Sequence, residues 1–98
     1  MHVDDMSGEV QRGFTVRGRV QGVYFRAWTR GMAQELGVRG WVRNCPDGSV
    51  EAYGAADAET MREFQARLGV GPGAARVDEV EVISSESEVP VDGFEIRY

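Results

Sequence analysis

The residues between positions 18 and 26 combine two glycines with an arginine at a spacing that suits anion binding. Gly18 and Gly22 are four residues apart, so the backbone can fold back and direct several N–H groups into one hollow. Arg26 follows just inside an expected helix, whose N-terminus carries partial positive charge. Backbone donors, a helix N-terminus and a guanidinium that converge on one point form a site for a phosphate-like anion.

The charged residues exclude several classes of phosphate-handling protein. The chain has 98 residues and a net charge of −5, and all 11 of its cationic residues are arginines. A P-loop needs a lysine after its second glycine, so an ATPase or GTPase of that kind is excluded. The acidic balance argues against nonspecific binding to nucleic acid or to an anionic membrane surface.

The hydrophobic and metal-ligating residues further narrow the class of protein to which the chain can belong. No apolar run is long enough to cross a membrane, and the N-terminus lacks a hydrophobic signal region, so we expect a cytoplasmic protein. One cysteine, Cys45, and one histidine, His2, cannot form an internal disulfide or a zinc site. Cys45 has no histidine partner within reach in the sequence and is predicted to be a turn residue rather than a nucleophile.

The elements that position the glycines and Arg26 follow from periodicity and turn residues. Residues 1–11 are polar and acidic and predict a disordered tail, and residues 12–98 predict one domain. Alternation around Phe14 predicts a strand over about residues 12–18, followed by the glycine loop (residues 18–23) and a helix that Gly37 ends. Asp57 is the expected N-cap of a second helix. The other predicted elements are helices over about 24–36 and 58–68, strands over about 38–44, 49–53 and 94–98, and a strand around Val80 and Val82.

This order of elements predicts an α+β fold. The sequence β-α-β-β-α-β, with a short C-terminal strand added, is typical of the ferredoxin-like sandwich. Two helices would then bury their apolar stripes on one face of a mainly antiparallel sheet. The stripes are formed by Phe25, Trp28 or Thr29, Met32 and Leu36 in the first helix, and by Met61, Phe64 and Leu68 in the second.

Two segments of the chain resemble the signatures of the acylphosphatase family. The first is GRVQGVYFR at residues 18–26, and the second is GVRGWVRN at residues 37–44, followed by DGSVE at residues 47–51. The similarity continues through the second helix and its Gly-Pro loop to the closing FEIRY, so it covers about residues 14–98. Both signatures occur in the family's order and on the expected elements.

The resemblance implies an enzyme that hydrolyses the carboxyl-phosphate anhydride of small acyl phosphates to a carboxylate and inorganic phosphate. It also implies a monomer that uses no metal or organic cofactor and has no nucleic-acid or membrane partner. Arg26 matches the phosphate-binding arginine of the family, and Asn44 matches the asparagine that orients the attacking water. The phosphate-binding backbone corresponds to Arg19, Val20, Gln21, Gly22 and Val23, with Gly18 as the structural glycine of the loop.

Two other functions remain open at this point. The same fold could hold phosphate or carbamoyl phosphate without turnover, as a regulatory or accessory module. An RNA-binding ferredoxin-like domain would need outward-facing aromatic residues on the central strands and a basic sheet face, and those strands offer Phe14 and Tyr53 at most. Neither signature recognises an acyl group, so acetyl phosphate, carbamoyl phosphate and bisphosphoglycerate are equally open as substrates.

Overall fold

The computed structural model describes residues 8–83 and 87–98, and its helices and strands follow one another in the predicted order. Residues 1–7, which include His2 and most of the predicted tail, and residues 84–86 lie outside the described residues. The elements are β1 (Glu9–Arg19), α1 (Phe25–Leu36), β2 (Arg39–Asn44), β3 (Val50–Asp57), α2 (Ala58–Val70), β4 (Arg76–Ile83) and β5 (Phe94–Arg97).

The five strands form one sheet in the order β4-β1-β3-β2-β5. Only the β2–β5 pair is parallel, and the other neighbours are antiparallel. Since β3 is antiparallel to both β1 and β2, those two strands run in the same direction, as does β5. The glycine loop after β1, Asn44 at the end of β2 and Tyr98 after β5 therefore lie at the same edge of the sheet.

Both helices pack on one hydrophobic core, as the sequence predicts. Phe14 and Val16 of β1 contribute to it from the sheet and are fully buried. On the helices, the buried residues are Phe25, Thr29, Met32 and Ala33 of α1, and Met61, Phe64 and Leu68 of α2. The predicted ferredoxin-like sandwich is confirmed. Neither described helix is both long and apolar enough to span a membrane.

Two strands are longer than the alternation of apolar residues indicates. β1 begins at Glu9 rather than about residue 12, because residues 9–11 pair with residues 55–57 of β3. β3 continues to Asp57 rather than residue 53, although its last part is Gly54-Ala55-Ala56, which has low β propensity. The pairing with both β1 and β2 keeps this part extended. A Cβ atom on Gly54 would lie 2.7 Å from Cγ1 of Val38, so close packing requires glycine there.

The predicted helix boundaries at Gly37 and Asp57 are confirmed by their geometry. Gly37 ends α1 in the left-handed conformation, with a φ of 79°. The Asp57 side chain caps α2 by accepting a 2.7 Å hydrogen bond from the backbone N–H of Thr60. That hydrogen bond lowers the pKa of the Asp57 carboxyl. The α2 N-terminus thus has a side-chain cap, whereas the N-cap residue of α1 makes no such bond.

Candidate active site

A pocket of about 420 Å³ opens at the sheet edge where the glycine loop, the start of α1 and the ends of β2 and β5 meet. Arg26 and Asn44 both line it, although 18 positions separate them in the sequence. The topology explains this, because β1 and β2 run parallel with β3 between them. The other lining residues are Val20, Gly22, Tyr24, Phe25, Ala27, Ile96 and Tyr98.

The backbone of the glycine loop adopts conformations that glycine tolerates best. Gly18 has a φ of +135°, and Gly22 has a φ of +74°. A Cβ atom on Gly18 would lie 2.1 Å from the backbone oxygen of Arg76, so the close approach of β4 also requires glycine. Tyr24 has a φ of 69°, an uncommon left-handed conformation for a residue with a side chain. Such strained residues cluster at functional sites.

The N-terminus of α1 is uncapped. Tyr24 occupies the N-cap position without any side-chain hydrogen bond, and the first turn of α1 carries no acidic residue. Within residues 8–83 and 87–98, the backbone N–H groups of residues 20–23 also donate no hydrogen bond. Backbone donors at a helix start need partners. Val20 and Gly22 of this loop line the adjacent pocket, and an anion is the kind of partner that such donors bind.

Arg26 contributes a positive charge that no described carboxylate neutralises. Its side chain is half-buried, and its guanidinium carbon lies 4.8 Å from the ring centroid of Tyr98. No acidic side chain in the described ranges forms an ion pair with it. By contrast, Arg17 and Arg43 are paired with glutamates at 2.6 and 2.7 Å. The Arg26 charge is therefore available to a ligand.

Asn44 carries a buried acceptor without a partner. It is the last residue of β2, and its Oδ1 atom has no hydrogen bond to any described residue. Leaving a buried acceptor unpaired costs about 1–3 kcal/mol. Such an atom in a native fold calls for an explanation, and a functional role is one. Its position in the pocket with Arg26 makes the carboxamide a candidate for contact with a ligand or a water molecule.

Comparison with known proteins agrees with this geometry. The acylphosphatase family model matches residues 7–96 of the chain. This chain belongs to the acylphosphatase family. An acylphosphatase from Nitrobacter hamburgensis is 58% identical over 73 residues, which are 74% of each chain, and one from Nitrosococcus oceani is 51% identical over 84% of this chain and 91% of its own. A solved acylphosphatase structure from Coxiella burnetii superposes with a TM-score of 0.85 and 34% identity, covering 94% of this chain and 96% of its own.

The other predicted site residues of this acylphosphatase lie in four different surroundings. Val20 and Gly22 line the pocket with Arg26 and Asn44. Arg19 ends β1, and its side chain is exposed outside the pocket lining. The Val23 side chain packs against the hydrophobic core. Gln21 is not among the lining residues, and its side chain bonds to the turn between β2 and β3.

Cys45 and the acidic residues do not form a metal-binding group in the described part of the acylphosphatase domain. No set of three or more histidine, cysteine, aspartate or glutamate side chains is placed to hold a metal ion there. Cys45 lies in the β2–β3 turn with its thiol half-buried and its backbone N–H donated to the Ser49 carbonyl at 2.8 Å. Its geometry is that of a turn residue.

Sequence reasoning missed two features of the acylphosphatase sheet. Tyr98 lines the pocket because β5 lies parallel to β2, a pairing that no local sequence signal indicates. On the sheet face opposite the helices, Trp41 stacks on Tyr53 with centroids 6.0 Å apart, whereas Phe14 packs in the core. Of the two aromatic residues that the central strands offered for RNA binding, Phe14 is thus in the core and only Tyr53 lies on the other face. Trp41 and Tyr53 are only 5% and 4% exposed, so they present no open ring face to a base.

Proposed function

We propose that this pocket hydrolyses small acyl phosphates, with Arg26 binding the phosphoryl group and Asn44 holding the attacking water. The observation that carries the proposal is the meeting of Arg26, Asn44 and an uncapped helix N-terminus in one pocket. The acylphosphatase relatives support the same reaction. No observation favours the noncatalytic alternative.

The proposed phosphoryl site supplies positive charge without reorganisation. Hydrolysis of a phosphoryl group mainly requires positioning and stabilisation of charge on its equatorial oxygens. The Arg26 guanidinium is a planar, permanently charged fork that can bind two of those oxygens. The N–H groups of residues 20–23 add fixed dipoles. These donors provide at the phosphoryl oxygens the charge that a metal ion would otherwise provide, so we propose a metal-independent reaction.

Asn44 suits a reaction that needs little help from a base. Its carboxamide is uncharged and cannot take a proton as a general base, but it can hold a water in line with the bond that breaks. The carboxylate that departs from an acyl phosphate is a good leaving group. The proton of the water then passes to the substrate, on its phosphate or on the departing carboxylate. No histidine or Cys–His pair is required in this scheme.

The walls of the pocket favour an uncharged acyl group. Val20, Ala27 and Ile96 provide apolar surface, and the exposed rings of Tyr24 and Tyr98 stand at the rim. Among the lining residues, Arg26 supplies the only cationic side chain. One phosphoryl group uses that charge, and the pocket offers no second cation for a substrate with another anionic group. We propose that the preferred substrates are small acyl phosphates with neutral acyl groups. We also propose that the enzyme acts as a monomer in the cytoplasm.

The test is phosphate release from benzoyl phosphate, measured with and without a chelator. We expect chelator-resistant hydrolysis that is lost in Arg26→Ala. The matched control is Arg30→Ala, which removes an exposed arginine one turn further along α1, outside the pocket lining. Its activity should equal that of the wild type. A folded wild-type enzyme without hydrolysis, or an active Arg26→Ala variant, would contradict the proposal.

A further inference from the structure

The Gln21 side chain connects the glycine loop to the turn that follows Asn44. Its Nε2 atom donates to the backbone oxygens of Cys45 and Ser49, each at 2.8 Å. A glutamine amide has two N–H donors, so both are used on the same turn. The side chain is half-buried, which limits competition from water. This side chain has a specific contact, whereas the Arg19 side chain of the same motif is exposed.

The turn that receives these bonds is itself well fixed. Across residues 45–49, the Cys45 N–H donates to the Ser49 oxygen at 2.8 Å, and the Gly48 N–H donates to the Cys45 oxygen at 3.1 Å. The Asp47 carboxylate accepts from the Ser49 hydroxyl at 2.6 Å and from its N–H at 3.0 Å. These hydrogen bonds lower the pKa of Asp47, so its carboxylate stays charged at a lower pH than an ordinary aspartate does. Gln21 therefore anchors the loop to a rigid segment.

The sheet does not provide an equivalent link. β1, which leads into the loop, and β2, which ends at Asn44, are separated by β3, so no ladder hydrogen bond joins them. In the described part of the chain, the two Gln21 bonds are the only side-chain hydrogen bonds between the glycine loop and the β2–β3 turn. They span the two halves of the pocket, with the phosphoryl donors on one side and Asn44 on the other.

We propose that Gln21 is a positioning residue that sets the distance between the bound phosphoryl group and the water held by Asn44. This inference rests on the proposed function. Phosphate affinity depends on Arg26 and the loop backbone, which lie on one side of the link. Turnover depends on both sides, and a displacement of about 1 Å between reacting groups can cost roughly 10²-fold in rate. Loss of the link should therefore lower kcat and leave phosphate binding nearly unchanged.

The first experiment replaces Gln21 with methionine, which keeps the length of the side chain and removes both donors. We expect kcat for benzoyl phosphate to fall tenfold or more, while the Kd for inorganic phosphate changes less than threefold. Gln21→Glu puts a carboxylate opposite the two carbonyl oxygens and should lower kcat at least as much. It serves as a second variant with a side chain of the same length. Gln34→Met is the matched control, because Gln34 is an exposed glutamine at the far end of α1. A kcat within twofold of the wild type in both Gln21 variants would overturn the proposal.

The second experiment separates positioning from a purely structural role. In an Asn44→Ala background, Gln21→Met should cost less than twofold more in kcat, because its effect acts through Asn44. Equal losses in both backgrounds would overturn the positioning role. If Asn44→Ala alone leaves kcat unchanged, the assigned role of Asn44 in the proposed function fails instead. Urea unfolding of each variant checks that every rate belongs to folded protein.

Discussion

Substitution of Asn44 by alanine should remove activity without a loss of stability. The Oδ1 atom of Asn44 is buried and unpaired within the described chain. Deleting it breaks no hydrogen bond among the described residues. It removes a penalty of about 1–3 kcal/mol if no water satisfies the atom and no penalty if a water does. The shorter side chain loses some packing, so we expect a free energy of unfolding between unchanged and about 2 kcal/mol higher. Each kcal/mol corresponds to a rise in Tm of roughly 4–8 °C for a domain of this size.

The expected loss of activity is much larger than this change in stability. Removing one oxyanion-hole donor typically costs about 10²–10³-fold in kcat, and we expect a loss of this order when the group that holds the water is removed. Rates would be measured as phosphate release from benzoyl phosphate, and stability by urea unfolding of the same preparations. Inorganic phosphate should bind with nearly unchanged affinity, because Arg26 and the loop remain.

The chain offers a matched control in Thr29. Its Oγ1 atom is the other buried side-chain atom without a hydrogen-bond partner among the described residues, and Thr29 does not line the pocket. Thr29→Val keeps the shape and removes the hydroxyl, so it should also stabilise the fold, with full activity. The reasoning is refuted if Asn44→Ala is active, or if it loses more than about 1 kcal/mol of stability relative to the wild type.

Three further predictions concern the charge, the loop and a helix cap. Arg26→Lys keeps the charge but loses the planar fork, so kcat/KM for benzoyl phosphate should fall roughly 10–100-fold; an unchanged value would count against bidentate binding. Gly18→Ala should destabilise the fold far more than Gly22→Ala in urea, because its Cβ would meet a β4 backbone oxygen at 2.1 Å whereas nothing lies within 4 Å at Gly22; the reverse order would contradict this. The Thr60 N–H lowers the pKa of Asp57, so its stabilising effect is present above the ordinary aspartate pKa and is lost as the pH falls through the folded-state value. The deficit of Asp57→Ala in urea should thus shrink in acid, and a deficit independent of pH would be inconsistent with a charged cap.

The elements with clear periodicity and punctuation could be predicted from the sequence. Gly37 and Asp57 mark helix ends by local chemistry, and the stripes of α1 and α2 follow a period that burial imposes. The ends of β1 and β3 could not be predicted. Residues 9–11 contain one apolar side chain and are strand because they pair with residues 55–57. Residues 54–56 are small and are strand because they pair with β1 and β2. Such pairing is a tertiary effect that overrides local propensity.

The candidate site also contains residues that the sequence predicts and residues that it does not. Arg26 and Asn44 are found in the sequence through signatures of the family, and the pocket brings them together. Tyr98 and the Gln21 side chain act across long sequence separations, so their contacts depend on strand order rather than on local pattern. The unpaired Oδ1 of Asn44 depends on burial, which one sequence cannot reveal residue by residue.

The uncapped start of α1 links the stability of the enzyme to its ligand. The Asp57 side chain caps the N-terminus of α2, whereas no side-chain hydrogen bond caps α1. A bound phosphate would accept hydrogen bonds from the free N–H groups at the start of α1. A ligand that binds only the folded state raises its stability by RT ln(1 + [L]/Kd), about 2.7 kcal/mol at a hundredfold excess over Kd. The Tm should therefore rise with phosphate concentration, and the product of the reaction would protect the enzyme that releases it.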